Sequence, residues 1–150
     1  MIIWMADDKL FRMSLIMKLD EPLSIEQIDA VLEFLPVLKD EGFKPVKEVV
    51  CKPGMFGYEV WDPVLERFHS ALYDYGFVIS FDWPAWQDEA QRYLEFPELP
   101  GSADLNTIRK LFTVHVRKER FCVGHFTTMV KIGHVRTLLK RLEEIREALE

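Results

Sequence analysis

Residues 102–145 read SADLNTIRKLFTVHVRKERFCVGHFTTMVKIGHVRTLLKRLEEI, and the spacing of their apolar side chains predicts three consecutive helices. The first is expected to be capped by Ser102 or Asp104 and to end near Glu119. A short helix and a longer last helix follow. The apolar stripe of the last helix is heptad-like, so it fits packing within the molecule or against a second copy. This stretch predicts a domain dominated by helices.

Upstream of this stretch the sequence predicts three more helices. Ser24 and Gln27 have the spacing of a capping box, and Pro36, which lies inside the predicted helix, requires a kink or an early end. An Asp-Pro pair at 62–63 is a strong helix start, because Asp accepts hydrogen bonds from free amides and Pro has no amide to satisfy. Asp82 is expected to cap the third of these helices.

Residues 46–61 predict a β-hairpin, because two runs of β-branched and aromatic residues flank a Pro-Gly turn. Phe56, Tyr58 and Val60 are expected to share the face that packs on the helices. Residues 77–81 are interpreted as a short third strand. Together these elements predict an α+β fold, predominantly α-helical, with about five or six helices and one hairpin.

Composition and length are typical of a single globular domain. With 150 residues, of which 49% are hydrophobic, one hydrophobic core is expected. Residues 16–150 are therefore interpreted as one domain, and residues 1–15 as a disordered leader. The chain has no apolar run of about 18 residues, no signal-peptide pattern and only two cysteines, Cys51 and Cys122. We expect it to be soluble and cytoplasmic, without a membrane partner.

Charge is divided unevenly along the chain. Residues 109–141 hold nine Lys and Arg and one acid, Glu119, for a net charge of +8. The remainder holds ten Lys and Arg and twenty-four Asp and Glu, for a net charge of −14. The basic segment fits an anion-binding surface, but it fits basic helices packed beside acidic ones better. Nucleic-acid binding is not expected, because the overall charge of −6 repels phosphates.

Two further stretches of the sequence are distinctive. The first is FDWPAW at residues 81–86, and the second is LFTVHVRKERFCVGH at residues 111–125, followed by Gly133 and His134. Over roughly residues 25–145, the chain resembles an uncharacterised, mostly bacterial family that is classed as a domain of unknown function. The resemblance supports the domain boundaries and implies no activity, cofactor or catalytic residue.

The basic segment contains the main candidate for a binding site. Arg117 and Arg120 share one helix face, and His134 and Arg141 share another. The turn before His125 is expected to present free backbone amides, which favour a phosphate or carboxylate. These five side chains are therefore predicted to bind an anion. In the other interpretation, which the sequence favours for the cluster as a whole, the arginines only orient the turn by bonding to carboxylates or carbonyls.

A weaker candidate is a metal site built from His115, Cys122, His125 and His134. Cys122 and His125 have a spacing that suits two ligands of one zinc ion, but strong zinc motifs contain two such pairs. His115 is expected to be a hydrogen-bonded core histidine, and Cys122 a small buried side chain. We therefore expect neither a metal nor another cofactor.

Trp83 and Trp86 lie three residues apart on one helical face. They could stack on a base or a sugar, although packing in a core or an interface is the commoner role of large aromatics. Asp82 and one of the histidines could form a general acid/base pair, but no nucleophile motif, glycine-rich phosphate loop or zinc-protease motif supports hydrolytic chemistry. The sequence therefore favours a protein without enzymatic activity.

These observations predict a small cytoplasmic helical interaction domain that forms homo-oligomers. Its main partner is expected to be a second copy of the chain, with an anionic ligand as a further partner. The alternative is an enzyme or a nucleic-acid-associated protein that uses a phosphate or anion site between Arg117 and His134.

Overall fold

The computed structural model describes residues 17–18, 21–54 and 56–149. In chain order its elements are β1 (Met17–Lys18), α1 (Ile25–Leu32), α2 (Leu35–Leu38), β2 (Val46–Val50), β3 (Tyr58–Trp61), α3 (Pro63–Asp74), β4 (Ile79–Ser80), α4 (Gln87–Glu95), α5 (Leu105–Glu119), α6 (His125–Lys131) and α7 (His134–Ala148). Within the described ranges, six helices exceed a single turn and β2 and β3 form one antiparallel hairpin, which confirms the predicted α+β, predominantly helical class. The expected leader, residues 1–15, lies outside the described residues.

Helix α5 lies at the centre of the fold. The carboxylate of Asp104 accepts a hydrogen bond from the amide of Thr107 at 2.7 Å, so Asp104, and not Ser102, caps the helix. The residues of α5 that are buried from solvent are Ile108, Arg109, Leu111, Phe112, Thr113, Val114, His115 and Val116. Because three of them are polar, α5 can be buried in this way only if those side chains find hydrogen-bond partners inside the protein.

Two of these polar residues attach α5 to the chain that follows α3. Arg109, which is only 1% exposed, donates from Nε to the Gly76 carbonyl at 3.0 Å and from Nη1 to the Glu21 carbonyl at 2.7 Å. The Thr113 hydroxyl accepts from the Ile79 amide at 3.0 Å and lies 2.8 Å from the Arg109 carbonyl. Backbone groups at the end of α3 and in β4 are thereby satisfied by side chains of α5.

The strand expected within residues 77–81 is present as β4. It pairs with β1 in parallel, with Met17 opposite Ile79 and Lys18 opposite Ser80. Sequence periodicity indicated the strand but not its partner, because a two-residue parallel pair leaves no pattern of alternation.

The apolar stripe of α7 packs within the molecule. Val135, Leu138 and Leu142 are fully buried, and α7 contacts α1, α2, α5 and α6. Arg146 of α7 also donates to the carboxylate of Asp29 in α1 at 2.7 Å. Of the two roles that the sequence left open for this stripe, packing against the domain's own helices is the one observed. In the described ranges, no helix has the length and apolarity to cross a membrane.

The helix predicted after Ser24 is divided in two. Ser24 and Gln27 form the expected capping box, but α1 ends at Leu32 and the single turn α2 begins three residues later. Pro36 explains the break, because it has no amide to donate to the carbonyl four residues before it, that of Leu32, and its ring crowds that carbonyl.

The prediction of which hairpin face packs on the helices was wrong. The Trp61 ring stacks on Phe126 of α6 with centroids 5.5 Å apart, and the Glu59 carboxylate accepts a hydrogen bond from the Thr127 hydroxyl at 2.9 Å. Phe56 is 98% exposed and Tyr58 is 50% exposed. Alternation along a strand defines two faces, but the sequence does not say which face meets the helices. Here the buried face carries Trp61, the largest side chain of β3.

We predict that Thr113→Val lowers the free energy of unfolding by about 1–3 kcal/mol, because the buried Ile79 amide loses its acceptor while the side-chain shape is retained. Urea denaturation measures this loss. Thr128→Val is the matched control, since the Thr128 hydroxyl is exposed and its removal should change the free energy by less than about 0.5 kcal/mol. Equal losses in the two variants would contradict the assigned role of Thr113.

Candidate functional site

Three histidines meet where α5, α6 and α7 come together. His115 Nδ1 lies 3.0 Å from His125 Nε2, a hydrogen-bond distance, and the His115 ring meets the His134 ring edge to face with centroids 4.9 Å apart. His115 and His134 are buried, and the Nε2 atoms of both have no hydrogen-bond partner among the described residues. We call His115, His125 and His134 the histidine cluster.

Glycine turns position the histidine cluster. Gly124 and Gly133 both adopt left-handed backbone conformations, with φ of 92° and 87°, and each directly precedes a histidine that begins a helix. The turns bring the first residues of α6 and α7 against His115 of α5. The repeated Gly-His dipeptide, nine residues apart, marks the two helix starts, but it does not indicate that both meet His115.

The histidine cluster is neutral at pH 7. Burial lowers the pKa of His115 well below its usual value, and His134, His125 and Lys118 lower it further by charge repulsion. Burial, followed by the charge of Lys118, lowers the pKa of His125 to about 4. The pKa of His134 is also about 4, because of burial and then His125. The core position expected for His115 is confirmed, and its partners are other imidazoles.

The structure does not bring together the four candidate metal ligands of the sequence, His115, Cys122, His125 and His134. Within the described ranges, no group of three or more His, Cys, Asp or Glu side chains has an arrangement that could hold a metal ion. The expectation that Cys122 is buried was wrong, because its side chain is exposed in the turn between α5 and α6. The His115 nitrogen nearest to His125 is engaged with that imidazole.

The turn before α6 does not present free amides, contrary to the prediction. Glu119 Oε2 accepts a hydrogen bond from the Gly124 amide at 3.1 Å, and Oε1 accepts one from the Phe126 amide at 2.8 Å. The chain thus supplies its own carboxylate to the start of α6. Glu119 is the one acid in the basic segment, but this isolation does not indicate which amides its carboxylate bonds.

Several basic residues of the segment are engaged inside the molecule. Arg109 is buried and holds two backbone carbonyls. Arg141 donates from Nε to the Ala103 carbonyl at 2.8 Å and forms an ion pair with Glu144 at 3.0 Å. These bonds support the interpretation that the charge division serves internal packing, and they engage Arg141 away from the other predicted anion ligands.

Arg117 and Arg120 remain together at the end of α5. The Arg117 guanidinium forms no hydrogen bond or ion pair with another described residue, and the Arg120 guanidinium donates from Nη2 to the Tyr73 hydroxyl at 3.4 Å. Both line a cavity of about 350 Å³, which we call the arginine–tryptophan cavity. The residues that line it are Ile79, Ser80, Phe81, Trp83, Arg117, Arg120 and Phe121.

The five side chains of the predicted anion site thus lie in three places. His125 and His134 meet through His115 in the histidine cluster, Arg117 and Arg120 share the arginine–tryptophan cavity, and Arg141 bonds to Ala103. Anion binding by all five together is not supported by this arrangement. Anion binding by the pair Arg117 and Arg120 remains a prediction.

We predict that the domain loses stability as the pH falls from about 6.5 towards 4. The folded-state pKa values of the histidine cluster are lower than the value of about 6.5 in an unfolded chain, so acid favours the unfolded state, which binds more protons. Urea denaturation at pH 7.5, 6.5 and 5.5 measures this loss. At the lowest of these pH values, the unfolded state should bind nearly one more proton per imidazole of the cluster than the folded state does. His125→Gln should show a shallower pH dependence, and an unfolding free energy that is constant over this range would contradict the prediction.

We also predict that Glu119→Ala lowers the free energy of unfolding by about 1–2 kcal/mol, because the amides of Gly124 and Phe126 lose their acceptor. Glu119→Gln, which keeps an acceptor without the charge, should lose less. The control is Glu143→Ala, on the exposed side of α7. Thermal and urea denaturation compare the variants. If Glu119→Ala loses no more free energy of unfolding than the control does, the Glu119 carboxylate does not stabilise the turn between α5 and α6.

Comparison with known proteins agrees with the extent of this fold. The Family of unknown function (DUF6508) matches residues 23–148, a range that includes both distinctive stretches, 81–86 and 111–125. No curated protein and no solved structure matches the chain. Because the match covers most of its residues, the chain belongs to DUF6508, a family of unknown function.

Proposed function

We propose that the domain is a small helical interaction domain that associates with a second copy of itself through the hairpin formed by β2 and β3. The observation that carries this proposal is an open strand edge beside exposed apolar side chains. A two-stranded sheet is stabilised by further strands or by a covering layer, and in this hairpin α6 covers the face that carries Trp61. In the described part of the chain, the hairpin sheet has only β2 and β3.

The exposed side chains of the hairpin support this proposal. Val49 is 62% exposed, Tyr58 is 50% exposed and Phe56, near the turn, is 98% exposed. Val49 pairs with Glu59 and Tyr58 pairs with Val50, so exposed apolar side chains flank the strands on both faces of the hairpin. Lys47 and Glu48 are exposed as well, so neither face of β2 is covered at its middle.

A second copy fits this edge in antiparallel orientation. Two copies of β2 related by a twofold axis would give a continuous four-stranded sheet, which is a common form of strand addition. A pairing centred on Glu48 or Val49 places Val49 opposite Lys47 or Val49 of the second copy. In either register, Val49 lies in the middle of the contact.

The test is sedimentation of the wild-type chain and of Val49→Lys over a micromolar concentration series. We expect the wild type to dimerise with increasing concentration. Val49→Lys should remain monomeric, because it places two lysines opposite each other in either register.

Ile132→Lys is the matched control, since Ile132 is 60% exposed on another part of the surface. It should dimerise like the wild type. A wild-type monomer at every concentration would overturn the proposal. A Val49→Lys dimer as stable as the wild type would place the interface elsewhere.

We also propose that this domain acts in the cytoplasm. Cys51 and Cys122 are both exposed free thiols, a state that a reducing compartment maintains. The proposal fails if the mature chain, recovered without reductant from its own cells, carries these cysteines in disulfides.

A further inference from the structure

We propose that the arginine–tryptophan cavity binds a small molecule that combines a flat ring with one phosphate or carboxylate group. The cavity lies between the end of α5 and the chain around β4. It is separate from the hairpin and from the histidine cluster, so this binding does not depend on self-association.

The charge of the cavity selects an anion. Arg117 and Arg120 line it, and none of its described lining residues carries a carboxylate. Lys110 adds a third positive charge nearby, with its Nζ 5.7 Å from the centre of the Phe81 ring, which lines the cavity. Guanidinium groups bind phosphate and carboxylate through pairs of hydrogen bonds, and Arg117 has no competing partner among the described residues.

The rings of the cavity select a flat apolar group. Trp83 and Phe121 lie with their ring centroids 6.2 Å apart and their planes inclined by 32°, and Phe121 is 76% exposed. Phe81 lines the same space. An exposed Phe beside a Trp and two cations offers a stacking surface for a ring whose charged group reaches the guanidiniums.

The size of the cavity limits the ligand. At about 350 Å³ it lies near the lower end of the range for small-molecule sites, which is about 300–1,000 Å³. A ligand with one ring system and one anionic group can stack on the aromatic side chains while its charge reaches the two guanidiniums. A long polyanion would use the two arginines but would leave the aromatic wall without a partner.

Calorimetric titration with four probes tests this combination. They are 1-naphthyl phosphate, 1-naphthoate, 1-naphthol and inorganic phosphate, which present the ring with either anion, the ring alone and the anion alone. We expect one of the two ring anions to bind at least about tenfold more tightly than both 1-naphthol and inorganic phosphate, and to weaken as salt increases. The better of the two identifies the natural anionic group as phosphate or carboxylate.

Two variants locate the binding. Arg117→Gln and Trp83→Leu should each weaken the better ring anion about tenfold or more, whereas Lys140→Gln, an exposed charge on α7, should change its affinity less than twofold. Trp83→Phe, which keeps a ring, should weaken it less than Trp83→Leu. Circular dichroism and thermal unfolding confirm that each variant is folded.

Three results would overturn the proposal. The first is no binding of either ring anion at millimolar concentration. The second is 1-naphthol or inorganic phosphate binding as tightly as the ring anions, because either would remove the need for a combined ligand. The third is ring-anion binding that Arg117→Gln leaves unchanged, which would place the ligand outside this cavity.

The monomeric Val49→Lys variant should bind the ring anion as tightly as the wild type does, because the hairpin does not line the cavity.

Discussion

Helix α5 is enclosed by protein on nearly every side, and its four engaged polar side chains determine how the surrounding elements are held. Arg109 and Thr113, one turn apart, satisfy backbone groups between α3 and β4. His115 contacts the histidines that begin α6 and α7, and Glu119, one turn later, accepts hydrogen bonds from amides at the start of α6. A buried polar group without a partner destabilises a fold, so each of these residues restricts where the neighbouring segment can lie.

The turn between α5 and α6 combines the conformational freedom of a glycine with a specific electrostatic partner. Gly124 permits the left-handed turn, and the Glu119 carboxylate then satisfies the amides that the turn exposes. The same geometry brings imidazoles together in a buried place, where they remain neutral because charging any of them would require desolvation and repulsion. The histidine cluster therefore packs the last three helices together at neutral pH, and its protonation lowers the free energy of unfolding in acid.

The uneven charge of the chain has a different meaning once the fold is known. Arg109 and Arg141 hold backbone carbonyls, and Arg146, just beyond the basic segment, pairs with Asp29 of α1. What remains for a ligand is local, at Arg117 and Arg120 beside an aromatic wall. A count of charges along a sequence cannot separate a guanidinium that holds a carbonyl in the core from one that faces a cavity, because both have the same charge and the same pattern of neighbours.

The sequence by itself determined the fold class, the hairpin, the capping of α1 by Ser24, a start of α5 at Ser102 or Asp104, and the core position of His115. These features depend on local hydrogen bonds and on the period of apolar residues, which are written within a few consecutive positions. The tertiary structure alone decided the hairpin face that is buried, the parallel partner of β4, the carboxylate that caps α6 and the meeting of the three histidines. Each of these joins residues that belong to different elements, and their free energy depends on distances that no local pattern contains.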